Sequence, residues 1–369
     1  MQLTKYKLGD LIAQRREKNK DYDLPIRGVS REGFIKPKVE EADTSIYNVF
    51  YKNDFVFNPA RMELNSIALN LDLDKALCSS LYEVFYVKDE NVVLPEFLNL
   101  HIKRDEFARH CDYIGLGSAR EYCRFANIAE FDIKIPPIEV QREIVKADRQ
   151  IKRRIRLNEQ MIEKLEATAQ ALYRKMFVDG IDKENLPEGW RMGKLEDICD
   201  CFDSKRKPVA GYDRDKMDSS KRIYPYYGAA ALMDYVDDYI FDGDYILMGE
   251  DGTVLNDDYT PVIQYVRGKF WVNNHAHILK GKNGFDENLL YLFLKQTNVK
   301  DIVTGGVQAK INQENMMSIP AIIPPHDLIK ELRGMENPIF REIHLREQEN
   351  SKLSELQSLL LAKMGNLKQ

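Results

Sequence analysis

This chain repeats itself at a period that leaves few folds open. Residues 133–144 read IKIPPIEVQREI, and residues 321–332 read AIIPPHDLIKEL. The echo lies 188 positions downstream in a chain of 369 residues. At that shift Ile135-Pro136-Pro137 falls on Ile323-Pro324-Pro325. Further on, Leu157, Glu159, Gln160, Leu165, Leu172, Lys175 and Met176 meet Leu345, Glu347, Gln348, Leu353, Leu360, Lys363 and Met364. With small gaps the match also runs backwards. Asn53–Phe57 sits like Gly243–Leu247, Leu94–Lys103 like Asp286–Lys295, and Gly117–Arg120 like Val307–Lys310. Even Tyr6–Ile12 resembles Gly193–Cys199. A common order at a near-constant offset marks two copies of one unit, a mixed globular segment followed by a long helix. Solenoid repeats run to roughly 20–50 residues. This period instead means two large copies and a pseudo-twofold molecule, which suits a two-sided partner.

The helices come next. Residues 138–177 contain no Gly or Pro. Apolar residues recur there at heptad spacing: Ile144, Ile151, Ile155, Ile162, Leu165, Ala169, Leu172 and Met176. Asp148 and Asn158 interrupt this seam. The second copy continues through Ile339, Ile343, Leu353, Leu360 and Met364, broken by Arg346, Asn350 and Gln357. Polar seam residues cost stability but fix register and partner number. Asn337 as N-cap with Pro338 behind it is a good helix start. The second helix is therefore expected to begin anew there or to kink, with residues 338–366 helical. As one helix, residues 138–177 span about 60 Å. A seam of that length wants a partner, and the other copy is the nearest. The expectation is an antiparallel pair with a globular copy at each end; the alternative is an amphipathic helix packed on its own domain.

The chain then divides into four parts. They are a first globular domain (1–137), a central long helix (138–185), a second globular domain (186–325) and a C-terminal long helix (326–369). Within the globular parts, NDFVF, YEVFYV, DYILMG and AHILKG are strand-like, and NPAR, GEDG, VRGK and GKNG are turn-like. Single helices are expected over LPEFLNLHIKRDEFARHC and FDENLLYLFLKQTN. The fold class is α+β: two globular domains of small mixed or antiparallel sheets with helices, joined by two long antiparallel helices.

Composition narrows the function. Hydrophobic residues make up 44% and charged residues 31%, as in a soluble globular protein. No run approaches 18 apolar residues, and the start MQLTKYKLGDLIAQRREK has no apolar signal-peptide core. The five cysteines form no CxxC pair and read as reduced thiols. A cytoplasmic protein with no membrane association is expected. The net charge of −5 gives no global sign of nucleic-acid binding.

Two variable α+β segments, each closed by Pro-Pro and a long helix, resemble the DNA-specificity (S) subunit of type I restriction–modification systems. Residues 224–254, YPYYGAAALMDYVDDYIFDGDYILMGEDGTV, followed by FWVNNHAHIL, are similar to target-recognition domains of that family. FVFNPARMELNSIA (residues 55–68) resembles a second variant of them. The resemblance covers nearly the whole chain, and the repeat is its specific part. It implies two target-recognition domains, each reading one half of a split site in double-stranded DNA. It implies helices that set the spacing and dock two methyltransferase subunits, and restriction/translocase subunits that join the assembly. S-adenosylmethionine, ATP and Mg would then sit on partner subunits, with no cofactor and no metal in this chain. A specificity subunit of a restriction enzyme that cuts on both sides of its site is a near alternative. A coiled-coil interaction protein that binds no DNA is a distant one.

The residues agree with a noncatalytic chain. An adenine methyltransferase of this kind carries an Asn/Asp-Pro-Pro-Tyr motif. Asn58–Arg61 reads NPAR, and both Pro-Pro pairs lack the flanking Asn or Asp and the Tyr. No GxxxxGK[ST] phosphate loop occurs. The carboxylates of GEDG and VDDYIFDGD suit turn capping better than a nuclease site. His275 and His277 lie on one strand face, without a third ligand at a telling spacing. DNA contact instead needs cations for phosphate and polar groups for bases. In the first copy the candidates are Asn58, Arg61, Asn65, Ser66, Ser118 and Arg120. In the second they are Lys205, Arg206, Lys207, Tyr226, Tyr227, Asn273, Asn274, Gln308 and Lys310. Lys152–Arg156 (KRRIR) on the first helix could meet phosphates, an acidic partner or only water.

Overall fold

The computed structural model describes residues 3–20, 23–37, 43–115, 122–218, 220–305 and 308–365. Both globular copies open and close in the same way. Thr4–Lys7 pairs antiparallel with Asp132–Ile135, Tyr6 opposite Ile133. Arg191–Lys194 pairs likewise with Pro320–Ile323, Gly193 opposite Ala321. In the closing strands Ile133 and Ile135, and then Ala321 and Ile323, turn inward while their neighbours are more exposed. That is the period of two that a half-buried strand requires. The Pro-Pro pairs that follow cannot donate to a ladder, so pairing stops and helix begins.

One helical turn, Leu8–Leu11 or Leu195–Ile198, leads from each opening strand into a main sheet. In the first copy Ile12–Arg15 pairs with Glu83–Val87, which pairs with Phe55–Phe57, which pairs with Ile67–Leu69. In the second copy Cys199–Cys201, Ala276–Gly281, Tyr245–Gly249 and Ile263–Val266 follow the same order. All these neighbours are antiparallel, so the repeat in the sequence is a repeat of topology. Phe55 and Phe57 enter a core with Leu8, Phe85 and Phe97, while Val56 enters a smaller one with Phe50, Ala68 and Val84. The rings of Phe55 and Phe85, directly opposite in the ladder, stack with centroids 4.7 Å apart. Phe85→Ala is expected to cost about 3–5 kcal/mol through the cavity it leaves. The turn before the strand shows how the copies substitute for one another. Asn53 holds a left-handed φ of 67°, and Gly243, at the matching place, holds 123°, a value suited to glycine.

Ile138–Phe177 is one helix of 40 residues, and His326–Gly365 is another of 40. The chain divides into compact units inside these helices: Met1–Leu157 with Gln348–Gln369, and Asn158–Glu347. Each unit therefore holds one globular copy and part of both long helices. In the first unit Gln357 donates to Asp148 at 2.7 Å, and Arg154 forks onto Glu349 at 2.7 and 3.0 Å. One number rises as the other falls, so these segments run antiparallel. In the second unit Arg346 reaches Asn158 at 3.3 Å and Tyr173 lies close to Glu336, the same antiparallel sense.

Of the expected seam residues, Ile151 and Ile343 are buried. Ile144, Ile155, Ile162, Leu165, Leu172, Ile339, Leu353 and Leu360 are half-buried. Ala169, Tyr173, Phe177, Ile329, Leu332 and Phe340 are buried in one core with Leu195, Leu290 and Ile323 of the second globular copy. The two expectations for the helices therefore both hold: they pair, and they also pack on their own domains.

Two expectations are corrected. The second long helix neither restarts nor waits for Pro338; it begins at His326 and runs through it. Pro338 removes the donor for the carbonyl of Gly334, but both residues face solvent, where water can serve that carbonyl. Asn337 is not a cap; its side chain accepts from Asn288 at 2.9 Å. The segment LPEFLNLHIKRDEFARHC is two helices, Pro95–Ile102 and Asp105–Gly115, broken at Lys103-Arg104.

Candidate nucleic-acid interface

In the first unit the candidate surface begins where the strand Phe55–Phe57 ends. Asn58 caps the turn that follows, its Oδ1 accepting from the Ala60 N–H at 3.1 Å, with Pro59 at the first helical position. The cap leaves the side-chain Nδ2 of Asn58 without a hydrogen bond among the described residues. Arg61 stands exposed just beyond, with no hydrogen bond or ion pair from its side chain among the described residues. Asn65 ends the turn at φ 53°, a conformation Asn tolerates. Two clefts meet at Asn58 and Tyr82. One, of about 590 Å³, is bordered by Arg16, Lys18, Tyr122 and Arg124. The other, of about 500 Å³, is bordered by Arg27, Arg31, Lys36 and Arg61. Sequence reasoning missed these cations. The run Arg15-Arg16 with Lys18, at the end of a strand of the main sheet, was the available signal.

Two first-copy candidates do other work. Asn65 donates weakly to the Ile102 carbonyl at 3.4 Å, and its Oδ1 is buried. Ser66 is 3% exposed, and its backbone closes the loop onto Asn58 and Arg61. Their hydrogen bonds shape the loop. Ser118 and Arg120 lie outside the described residues. Arg15 borders the first cleft but is held between the rings of Tyr51 and Tyr86 and forks onto Asp54 at 2.6 and 3.1 Å. Burial pushes the Asp54 carboxyl up, and Arg15 with the Tyr51 amide draws it part of the way back.

In the second unit the candidates are drawn together, but most are already engaged. Arg206 pairs with Glu250 and Asp203 and donates to the carbonyls of Asn274 and Ala276. Its side chain is 16% exposed, so it braces the loop instead of reaching outward. Tyr226 is 2% exposed; its hydroxyl accepts from the Val209 N–H and its ring lies under Arg214. Asn273 is buried and its Oδ1 accepts from the His275 N–H at 2.8 Å. Tyr227 is half-buried against Phe270. Arg206, Tyr226 and Asn273 are thus engaged within the unit, and Tyr227 keeps part of its surface open. Lys205, Lys207, Asn274, Gln308 and Lys310 are exposed. Lys310 bridges Glu250 at 3.3 Å and Asp251 at 3.5 Å, and these carboxylates raise its pKa. The GEDG carboxylates therefore act as counter-ions.

Cys201, Asp203 and His277 could bring three ligand atoms together, within 4.8 Å of one another. His277 is fully buried, with Nδ1 2.5 Å from Asp203 and Nε2 2.8 Å from the Ile311 carbonyl. Both ring nitrogens thus face acceptors, and the Arg206 guanidinium stands 3.4 Å from Asp203, where a cation would go. Burial alone would raise Asp203; His277 and Arg206 hold it below the usual carboxylate range. The donor set is that of a buried ion-pair network more than of a metal site. Among the described residues, no helix is long and apolar enough to cross a membrane.

An α+β unit built twice, with polar loops beside each main sheet and a share of two paired helices, is the plan of a duplicated recognition protein. The sequence profile of the type I restriction modification DNA specificity domain matches residues 3–167 and 187–331, once over each copy, and the chain belongs to this family. A putative type I restriction enzyme specificity subunit of Haemophilus influenzae is 34% identical over 156 residues, which is 40% of this chain and 37% of that protein. The HindI type I specificity subunit of the same organism is 31% identical over 110 residues, 29% of this chain and 24% of that one. The chain therefore spans less than half the length of these curated relatives. The crystal structure of an S subunit from M. genitalium superposes with a TM-score of 0.56 at 15% identity, covering 98% of this chain and 96% of that one. At that identity the likeness is one of fold.

Proposed function

We propose that this chain gives a type I restriction–modification complex its DNA sequence, each globular copy reading one block of a split duplex site. The observation that carries this reading is the doubled sheet, built in one order with different polar loops beside each copy. Half-buried Asn58 and exposed Arg61, Lys205, Lys207, Asn274, Gln308 and Lys310 supply the phosphate and base contacts. The long helices dock two methyltransferase subunits, and restriction/translocase subunits complete the assembly. The chain itself is noncatalytic and cytoplasmic. S-adenosylmethionine, ATP and Mg belong to its partners, in keeping with a sequence that has neither a methyltransferase Pro-Pro-Tyr motif nor a phosphate loop.

The deciding experiment exchanges residues 190–320 for the matching segment of another such subunit and maps methylated adenines in a host genome. One block of the motif should change and the other stay. Changes in both blocks would show that recognition is shared between the copies. The purified chain, given S-adenosylmethionine and DNA, should transfer no methyl group. A third test concerns the gap between the blocks. Four residues inserted after Leu172 add about 6 Å of helix, between one and two base pairs at about 3.4 Å each. The unread gap should lengthen, or methylation should fail because the seam cannot re-pair. An unchanged gap with full activity would mean that the helices are not the ruler.

A further inference from the structure

The turn Ser79–Tyr82 leads into the strand Glu83–Val87 and carries Leu81, whose surface is 77% open, the most exposed leucine among the described residues. The turn is fastened at several points. The Leu81 N–H donates to Ser79 Oγ at 3.3 Å and the Tyr82 N–H to the Ser79 carbonyl at 3.0 Å. Asn48, itself buried, donates to the Tyr82 carbonyl at 2.7 Å, and Lys18 in turn donates to Asn48 Oδ1 at 2.8 Å. A free chain gains nothing from an apolar side chain held out in water by such a frame. Cations line its cleft: Arg16, Lys18 and Arg124 border it with Leu81, Arg124 being paired with Glu83 at 3.1 Å, and Arg61 borders the adjoining one. An apolar point amid cations is complementary to a polyanion with apolar groups set between its charges. The major groove of duplex DNA has that character, and its apolar group is the thymine 5-methyl.

The second unit makes the contrast. The turn entering its corresponding strand, Ala276–Gly281, carries Asn273 and Asn274. Asn273 is tucked in and Asn274 is exposed. At the same place in the topology one copy thus presents a leucine and the other an amide.

We propose that Leu81 is a specificity-determining residue of the first unit, packing on the 5-methyl group of a thymine in the block that this unit reads. The proposal rests on the DNA-reading role argued above. It is tested with the full chain in complex with its methyltransferase partner, on duplexes carrying the mapped motif. Each thymine of the first block is replaced in turn by deoxyuridine, which removes only the methyl group. Wild type should bind one of these duplexes about fourfold more weakly, the ratio for one methyl at about 0.8 kcal/mol. Leu81→Ala, an exposed change that leaves the core intact, should bind the thymine and uracil duplexes equally. A first block without thymine, no uracil effect in wild type, or an undiminished effect in Leu81→Ala would each overturn the proposal while leaving the DNA-reading role standing. A chain that directs no methylation motif at all would remove both together.

Discussion

Asp148 and Glu336 stand 188 positions apart, at the same place in the two copies, and both are buried in the helix seam. Their surroundings differ. Asp148 accepts from Gln357 at 2.7 Å and pairs with Lys152 at 2.7 Å. Both carboxyl oxygens of Glu336 are buried without a hydrogen-bond partner among the described residues. At the places of Gln357 and Lys152 the second unit has Ala169 and Phe340, both buried. Burial then drives the Glu336 carboxyl up to about 9, with Asp286 adding to the effect and Arg333 opposing it. At neutral pH it is a neutral acid. Duplication has kept the shape of the seam while its chemistry diverged. The same acidic position is solved with an amide and an ammonium in one copy, and with a proton in the other.

Substitutions at matched positions can break or sharpen that comparison. The largest effect is expected at Asp54, which is 2% exposed and forked by Arg15. Asp54→Ala strands a partly buried guanidinium and should destabilise the first unit by about 3 kcal/mol. Urea unfolding followed by hydrogen exchange in Phe55–Phe57 reads this. A loss below about 1 kcal/mol would show that the pair is not structural.

Glu336 should give the next largest effect, with the opposite sign. Its folded pKa, about 9, lies above the ordinary glutamate value of 4.5, so folding takes up a proton between those limits. Stability from this group is complete below the lower value and is lost as pH rises towards the higher one. Glu336→Gln should therefore stabilise the second unit by on the order of 2–3 kcal/mol at pH 7, and by more at pH 8.5. A pH-independent difference between variant and wild type would refute the neutral-acid assignment. Asp148→Asn should not stabilise the first unit, because it gives up the Lys152 pair.

Arg61→Ala should leave the unfolding curve unmoved and weaken DNA binding by the complex about tenfold, with a shallower salt dependence. Equal binding by variant and wild type would take Arg61 off the interface. The smallest effect belongs to Asp244, which matches Asp54 in the repeat but is exposed. Asp244→Ala should shift stability by less than about 0.5 kcal/mol.

The repeat, the α+β class and the antiparallel helices were legible because they depend on order and periodicity. Whether the second helix restarts or kinks at Pro338 was not legible, because a local capping signal does not show the packing of Ile329, Leu332 and Phe340 on either side of the proline. The candidate site was legible mainly by type. Asn, Arg and Tyr were sought as base and phosphate contacts, yet the sequence does not show that Arg206 would be spent on Glu250 and Asp203. Nor does it show that Tyr226 would face inward over the Val209 amide. Such pairings join residues far apart in the chain and leave no periodic trace. Leu81 escaped for the opposite reason: an apolar residue before a strand looks like core until its exposure is seen.

The compact units do not follow the order of the chain. Residues 348–369 belong with 1–157, and Met364 shares a core with Val145 and Phe97. A ribosome delivers the chain from its N-terminus. All of the second unit, residues 158–347, has therefore been synthesised while the first still lacks its closing stretch of helix. The copy encoded first is the last to be finished. During that interval Val145 and Asp148 wait without Met364 and Gln357. A premature stop just after residue 347 would spare the nearby copy and cripple the one encoded hundreds of codons upstream.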